Sequence, residues 1–265
     1  MIKDITIGQY FTGHSPLHRM DPRVKLLLTI AYVVALFLTN SFWGYLLAGA
    51  FLVFCYALAK IKLKVILRSL KPVIPLVLFT GILNMFFVTG EPIWEFWVFH
   101  ITWEGLRFAA VMSVRIVCLI AGTSLLTYTT SPIALTDGLE RLLSPLSKLH
   151  FPAHELAMMM TITLRFIPTL VEETDKIMAA QKSRGADIDS GGLMKRVKSL
   201  IPILIPLFVS SFRRADELAL AMECRCYRGG EGRTRMKQLK LRLVDGGATL
   251  CMAAVVTGCI LLNYL

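Results

Sequence analysis

"LLLTIAYVVALFLTNSFWGYLLAGAFLVFCYALA" runs from Leu26 to Ala59 and is broken by polar residues in sequence only at Thr39, Asn40 and Ser41. One bilayer crossing takes about 20 apolar residues, so the run is far too long for one span and just long enough for two. Two short helices with a tight turn at Thr39–Ser41 fit it, and so does one long helix with a buried remainder. Charge separates the two readings. Lys3, Arg19, Arg23 and Lys25 precede the run, and Lys60, Lys62, Lys64, Arg68 and Lys71 follow it. Basic residues gather on the cytoplasmic side, so two such clusters on one side require an even number of crossings between them. The stretch reads as a helical hairpin.

The whole chain supports a membrane protein. Of its 265 residues, 55% are hydrophobic and only 18% charged, which is too apolar for an ordinary soluble domain. A net charge of +11 would point to nucleic acid in a soluble protein, but here the basic residues interrupt apolar runs and set orientation instead. No nucleic-acid partner is expected. The six cysteines, Cys55, Cys118, Cys224, Cys226, Cys251 and Cys259, lie mostly in apolar segments and read as reduced. Cys224 and Cys226 have no nearby His or second Cys pair to complete a metal shell, so neither metal nor cofactor is expected. The opening "MIKDITIGQYFTG" has no apolar core or small-residue cleavage site, so a removed signal peptide is not expected.

A third span is expected from about Pro72 to Val88, with Pro72 and Pro75 in its first turn, where a missing N–H costs least. The connector "TGEPIWEFWVFHITWEG" (Thr89–Gly105) carries three glutamates, three tryptophans and no lysine or arginine, as an outer interface should. A fourth span, about Leu106 to Thr127, returns inside and holds Arg115, which at that depth is expected to pair with a protein neighbour. Gly247–Leu265 makes a fifth, leaving the N-terminus inside and the C-terminus outside.

Between the fourth and fifth spans the chain is rich in arginine, too basic to lie outside. "TSPIALTDGLERLLSPL" (Thr130–Leu146) opens with Ser131 as an N-cap and Pro132 at the first helical position, and its leucines form one stripe suited to a surface helix. Two long helical patterns follow. "FPAHELAMMMTITLRFIPTLVEETDKIMAAQKSRG" (Phe151–Gly185) is expected to bend or break at Pro168, and "SLIPILIPLFVSSFRRADELALAMECRCYRGG" (Ser199–Gly230) repeats its plan. A shift of 41 residues aligns Asp175 with Asp216, Ala180 with Ala221, and Arg184 with Arg225. Ile177, Ala180 and Arg184 then share a face, as do Leu218, Ala221 and Arg225, with a small residue where two helices could cross closely. An arginine at a helix C-terminus is favoured by the dipole alone, by roughly 0.3–1 kcal/mol, and Gly185 suits a left-handed stop, so helix capping or phospholipid contact would account for both arginines. Docking of both arginines on a carboxylate-bearing partner is the competing reading.

Four segments carry a resemblance: "HRMDPRVKLL", "TSPIALTDGLERLLSPL", "LRFIPTLVEETDKIMAAQKSRGAD" and "RRADELALAMECRCYRGG". In this order they resemble the transmembrane T-component of energy-coupling factor transporters, ATP-driven importers of vitamins and metal ions in prokaryotes. That family ends two helices in a short Ala-Arg-Gly-like motif, which reads here Ser183-Arg184-Gly185 and Cys224-Arg225-Cys226. The resemblance implies an all-α fold with about four spans in residues 1–128, crossed cytoplasmic coupling helices in 129–244 and a last span in 245–265. It implies two ATP-binding cassette ATPase subunits as partners at the arginine ends, and a substrate-binding membrane S-component on the apolar halves, around Met158, Met159, Met160, Leu204 and Phe208. Catalytic residues are not expected.

Two other functions are poorly supported by the residues. For an enzyme there is no Walker A loop or H-E-x-x-H, "GGEGRTR" from Gly229 lacks P-loop spacing, and His150 and His154 make no ligand set. A self-sufficient channel or secondary transporter should show inverted repeats with interrupted helices, whereas this chain has one long basic interior block.

Overall fold

The computed structural model describes residues 10–87, 92–96, 99–145, 152–186, 192–229 and 239–264. They form ten α-helices and one short hairpin: α1 (Pro16–Arg19), α2 (Pro22–Leu38), α3 (Phe42–Ala59), α4 (Leu63–Leu70), α5 (Ile74–Phe87), β1 (Pro92–Phe96), β2 (Phe99–Thr102), α6 (Trp103–Thr129), α7 (Pro132–Leu143), α8 (Ala153–Ser183), α9 (Leu193–Glu223) and α10 (Leu243–Tyr264). The chain divides into two compact units, one of Gly8–Gly138 with Gln238–Leu265, the other of Met1–Ile7 with Leu139–Lys237.

The first unit holds the spans. Phe42–Ala59, Leu63–Phe87, Trp103–Thr129 and Leu243–Asn263 are long and apolar enough to cross a bilayer. With 17 residues, α2 stands at the lower limit of a span. The expected hairpin is present: α2 ends at Leu38, α3 begins at Phe42, and the polar residues Thr39–Ser41 make the turn. The far end of α10 secures that turn. Asn263 Oδ1 accepts the backbone N–H groups of Asn40 (2.8 Å) and Ser41 (3.1 Å), while its Nδ2 donates to the Leu38 carbonyl (3.0 Å).

One expectation about the spans changes. The third span begins at Leu63, and Pro72 lies within a 3₁₀ turn, Lys71–Val73, that joins α4 to α5. Proline removes an intrahelical hydrogen bond, and the chain absorbs that loss by tightening locally. The acidic connector contains an antiparallel two-stranded ribbon in which Glu95 pairs with His100 and Phe96 with Phe99.

The core of this unit is aromatic. Tyr32, Leu36, Tyr45, Leu52, Tyr56, Cys118, Tyr128, Met252 and Cys259 pack together, with Leu36 wholly enclosed. Buried phenols need acceptors, and here backbone carbonyls supply them: Tyr32 donates to Ala48 (3.3 Å) and Tyr56 to Ala121 (2.7 Å). Gly122 lets α6 come this close, since a Cβ there would lie 2.6 Å from the Tyr32 ring. Arg115 is paired, as expected. Its guanidinium donates to the Tyr45 hydroxyl and, at 3.1 Å, to the Thr39 carbonyl, which braces the α2–α3 turn.

In the second unit, α8 and α9 are 31 residues each, about 46 Å at the helical rise. Here α8 continues past Pro168 without a break, and α9 past Pro202 and Pro206. At α8's first turn His154 Nδ1 lies 2.9 Å from Glu140 Oε1. His150 and the "GGEGRTR" residues after Gly229 lie outside the described residues.

Candidate functional site

The C-terminal ends of α8 and α9 carry the predicted residues, and backbone hydrogen bonds define them. At α8 the Ala186 N–H reaches the Gln181 carbonyl (3.0 Å) and the Gly185 N–H the Lys182 carbonyl (3.0 Å). At α9 the Tyr227 N–H reaches the Met222 carbonyl (3.1 Å) and the Cys226 N–H the Glu223 carbonyl (2.8 Å). This double pattern is the Schellman helix stop, in which the residue after the cap turns left-handed. Gly185 does so with φ +83° and Cys226 with φ +55°. Every member of one stop corresponds to a member of the other 41 positions on. Arg184 and Arg225 therefore hold the same place, immediately before the left-handed residue, and both side chains are exposed. Ser183, Gly185, Cys224 and Cys226 are exposed around them.

The two helices pack in opposite senses. Gln181 Nε2 donates to the Pro202 carbonyl (3.3 Å), while eight residues earlier on α8 Glu173 receives the Ser210 hydroxyl and, at 2.9 Å, Arg214. Contacts thus advance along α9 as they retreat along α8. From Pro202 to Arg225 about 35 Å of helix intervenes, whereas Gln181 is within one turn of Arg184. The two arginines consequently lie at opposite ends of the paired arms. Along α8, Ile177 is half-buried in the paired stretch and Ala180 exposed; on α9, Leu218 is half-buried and Ala221 exposed, both beyond Arg214. The sequence does not reveal the antiparallel pairing, because a 41-residue repeat reports equivalence of position and not of contact. The charges of Glu173 and Arg214 are its available signal.

One face of α9 is apolar and uncovered. Ile201, Leu204, Ile205, Phe208, Val209 and Phe212 follow i, i+3, i+4, i+7, i+8, i+11 and all are exposed, Phe208 at 61%, while Ile203 on the other side is 3% exposed. A contiguous apolar face of this extent is unfavourable in water and suits contact with lipid or with another protein. Leu204 and Phe208 were expected there, and the same periodicity identifies Ile205, Val209 and Phe212. Near the start of α8, Met159 and Met160 are exposed and Met158 half-buried.

A buried polar cluster in the first unit is not evident in the sequence. Within "MDPRVKLL", Asp21 caps α2 by accepting the Arg23 N–H (2.9 Å). The Asp21 N–H donates to Asp245 Oδ1 (2.9 Å), and Asp245 Oδ2 accepts the Arg242 N–H (2.7 Å). Lys25 donates to the Thr129 carbonyl (2.9 Å) and Thr130 Oγ1 (3.2 Å). The "DPR" start of α2 is thereby bound to the end of α6 and the start of α10, a structural role for charges that sequence assigned to orientation.

Comparison with known proteins gives consistent matches. Residues 13–236 match the CbiQ family, described as cobalt transport protein. The chain is 54% identical to the energy-coupling factor transporter transmembrane protein EcfT of Ruminiclostridium cellulolyticum over 264 residues, covering 100% of this chain and 99% of that protein. It is 58% identical to the protein of the same description from Clostridium kluyveri, over 97% of this chain and 96% of that one. The Lactococcus lactis counterpart is 49% identical over 92% of each.

Proposed function

The chain belongs to the CbiQ family, as a transmembrane T-component of energy-coupling factor transporters, and on that footing we propose that it couples two ATP-binding cassette ATPase subunits to a substrate-binding membrane S-component in an importer of vitamins or other micronutrients. Each arm tip seats on one ATPase. Arg184, flanked by Ser183 and Gly185, engages the first, and Arg225, flanked by Cys224 and Cys226, engages the second. A guanidinium fork pairs in bidentate fashion with a carboxylate, which gives each seat a fixed orientation. One observation carries this reading: two helix stops with the same backbone hydrogen-bond pattern present exposed arginines at opposite ends of an antiparallel pair.

Closure of the ATPases on ATP moves the two tips relative to each other, and the arms pass that motion to their apolar stretches. Ile177 on α8 and Leu218 on α9, both half-buried, belong to the faces over which the arms slide, whereas Ala180 and Ala221 are exposed and, the pairing being antiparallel, do not meet at one crossing. Met158, Met159, Met160, Leu204 and Phe208 hold the S-component, the methionines adapting as it reorients. The N-terminus and the arms are cytoplasmic, in a prokaryotic cell membrane. The chain contributes no catalytic group, since ATP hydrolysis belongs to its partners.

Co-purification tests the proposal. The tagged chain, expressed with the rest of its cell's membrane proteins, should bring down two ATPases and a small membrane protein in fixed ratio. Solute movement by the chain alone in liposomes would overturn it.

A further inference from the structure

Helix α4 and the turn before it carry cations that nothing among the described residues neutralises. Lys60, Lys62, Lys64, Arg68 and Lys71 fall within twelve residues, and from Pro22 to Gly90 the sequence contains no aspartate or glutamate. All five side chains lie at least partly in the open. Lys64, Arg68 and Lys71 are spaced i, i+4, i+7, which places them on one face, and the helix continues through Lys71, whose N–H bonds to the Leu67 carbonyl. Like charges so spaced repel, and Lys60 and Lys62 stand before the positive end of the helix dipole. The fold therefore holds a concentration of positive charge that is unfavourable unless something outside the chain answers it.

The other faces of α4 tell what that is. Val65 and Ile66 pack on the aromatic core. Leu63 and Leu67, between the core face and the basic face, are 69% and 59% exposed. Exposed leucines beside a basic stripe, in the first turns of the continuous Leu63–Phe87 span, match the interfacial end of that span, with acyl chains against the leucines and headgroups against the cations. Beside it a hollow of about 470 Å³, lined by Phe11, His14, His18, Lys60, Lys62 and Val65, has room for a headgroup.

We propose that α4 is a binding site for anionic phospholipid headgroups of the leaflet in which it lies, with Lys64, Arg68 and Lys71 as the principal contacts and Lys60 and Lys62 completing the positive rim. An acidic protein surface would also answer the charge, but it would not cover Leu63 and Leu67 in a helix continuous with a span. The site does not depend on the arms or on what they dock.

The test is electron paramagnetic resonance of spin-labelled lipids around the full chain in phosphatidylcholine vesicles. Spin-labelled phosphatidylglycerol should associate more strongly than spin-labelled phosphatidylcholine. Each cation near the surface contributes up to about fivefold, from about 1 kcal/mol apiece. The variant K64Q/R68Q/K71Q should therefore bring the ratio of the two associations close to one. Salt near 1 M, where the screening length is about 3 Å, should do the same to the unaltered chain. The variant K176Q/R213Q, neutralised on the arms, should keep the unaltered ratio. A ratio of one in the unaltered chain, insensitivity to salt, or an equal fall in the arm variant overturns the site. So does an unchanged lipid ratio in K64Q/R68Q/K71Q accompanied by loss of a co-purifying protein, which would assign the face to that protein.

Discussion

Arg184 and Arg225 are the same residue of one repeated helix stop, 41 positions apart, each followed by a left-handed residue and each reached by an arm that runs opposite to the other. Because the tips are equivalent in backbone and separate in space, they should fail independently. R184E or R225E alone should remove one ATPase from the purified complex and abolish uptake, and the double reversal should remove both, with membrane insertion unchanged in all three. Uptake at the unaltered rate in the double variant would dismiss the docking role.

The two stops differ at the left-handed position. Gly185 adopts it freely, with nothing within 4 Å of the place a Cβ would take, whereas Cys226 bears the steric cost of a side chain, of about 1–2 kcal/mol. C226G should therefore firm up the end of α9, and G185A should loosen the end of α8 by a similar amount. Amide hydrogen exchange at Tyr227 and Ala186 would record slower and faster opening respectively.

Glu173 joins the arms through Ser210 and Arg214. Both charged groups are partly solvated, so the ion pair itself is worth about 1 kcal/mol or less. E173A should broaden the distance distribution between spin labels on α8 and α9 while leaving the helices intact by circular dichroism. In a double-mutant cycle with R214Q, strict additivity would show that the pair carries no coupling.

Gly122 faces Tyr32 at a distance that leaves no room for a methyl group. G122A should displace a buried ring that is hydrogen-bonded to Ala48, at a cost of about 1–3 kcal/mol. The midpoint of thermal unfolding in detergent should fall, and G49A, whose added Cβ would meet only the Cys118 sulfur at 4.0 Å, should change it much less.

His18 gives the N-terminal segment a pH dependence. Burial, with smaller repulsion from Lys25 and His14, pushes its pKa below the ordinary value, against the opposing pull of the Phe11 carbonyl. The folded state thus prefers the neutral ring, and the unfolded state binds more protons as pH falls through about 6.5. Stability of this segment is complete above that range and declines below it. H18Q should flatten the profile of protease susceptibility near Phe11 between pH 7 and pH 5.

Much of the membrane unit is legible in the sequence because lipid imposes simple rules. The Thr39-Asn40-Ser41 break and the flanking cations suffice for the α2–α3 hairpin. The start of the third span is less so: Pro72 looks like a first-turn residue until tertiary packing of Val65 and Ile66 extends the helix upstream. At the arms, each arginine stop is visible as a local pattern, since a Schellman end depends on a few consecutive residues. The pairing of Gln181 with Pro202 is not, because no periodicity encodes which stretches of two long amphipathic helices meet. Asp21 and Asp245 are invisible as partners for the same reason, being 224 positions apart.

That separation has a consequence for biosynthesis. The N–H groups of Asp21, Asn40 and Ser41 find their acceptors on α10, which leaves the ribosome only after both arms have been made. A nascent chain therefore waits with its first hairpin unlatched through the translation of roughly two hundred codons, and any truncation before Leu243 leaves the latch permanently open.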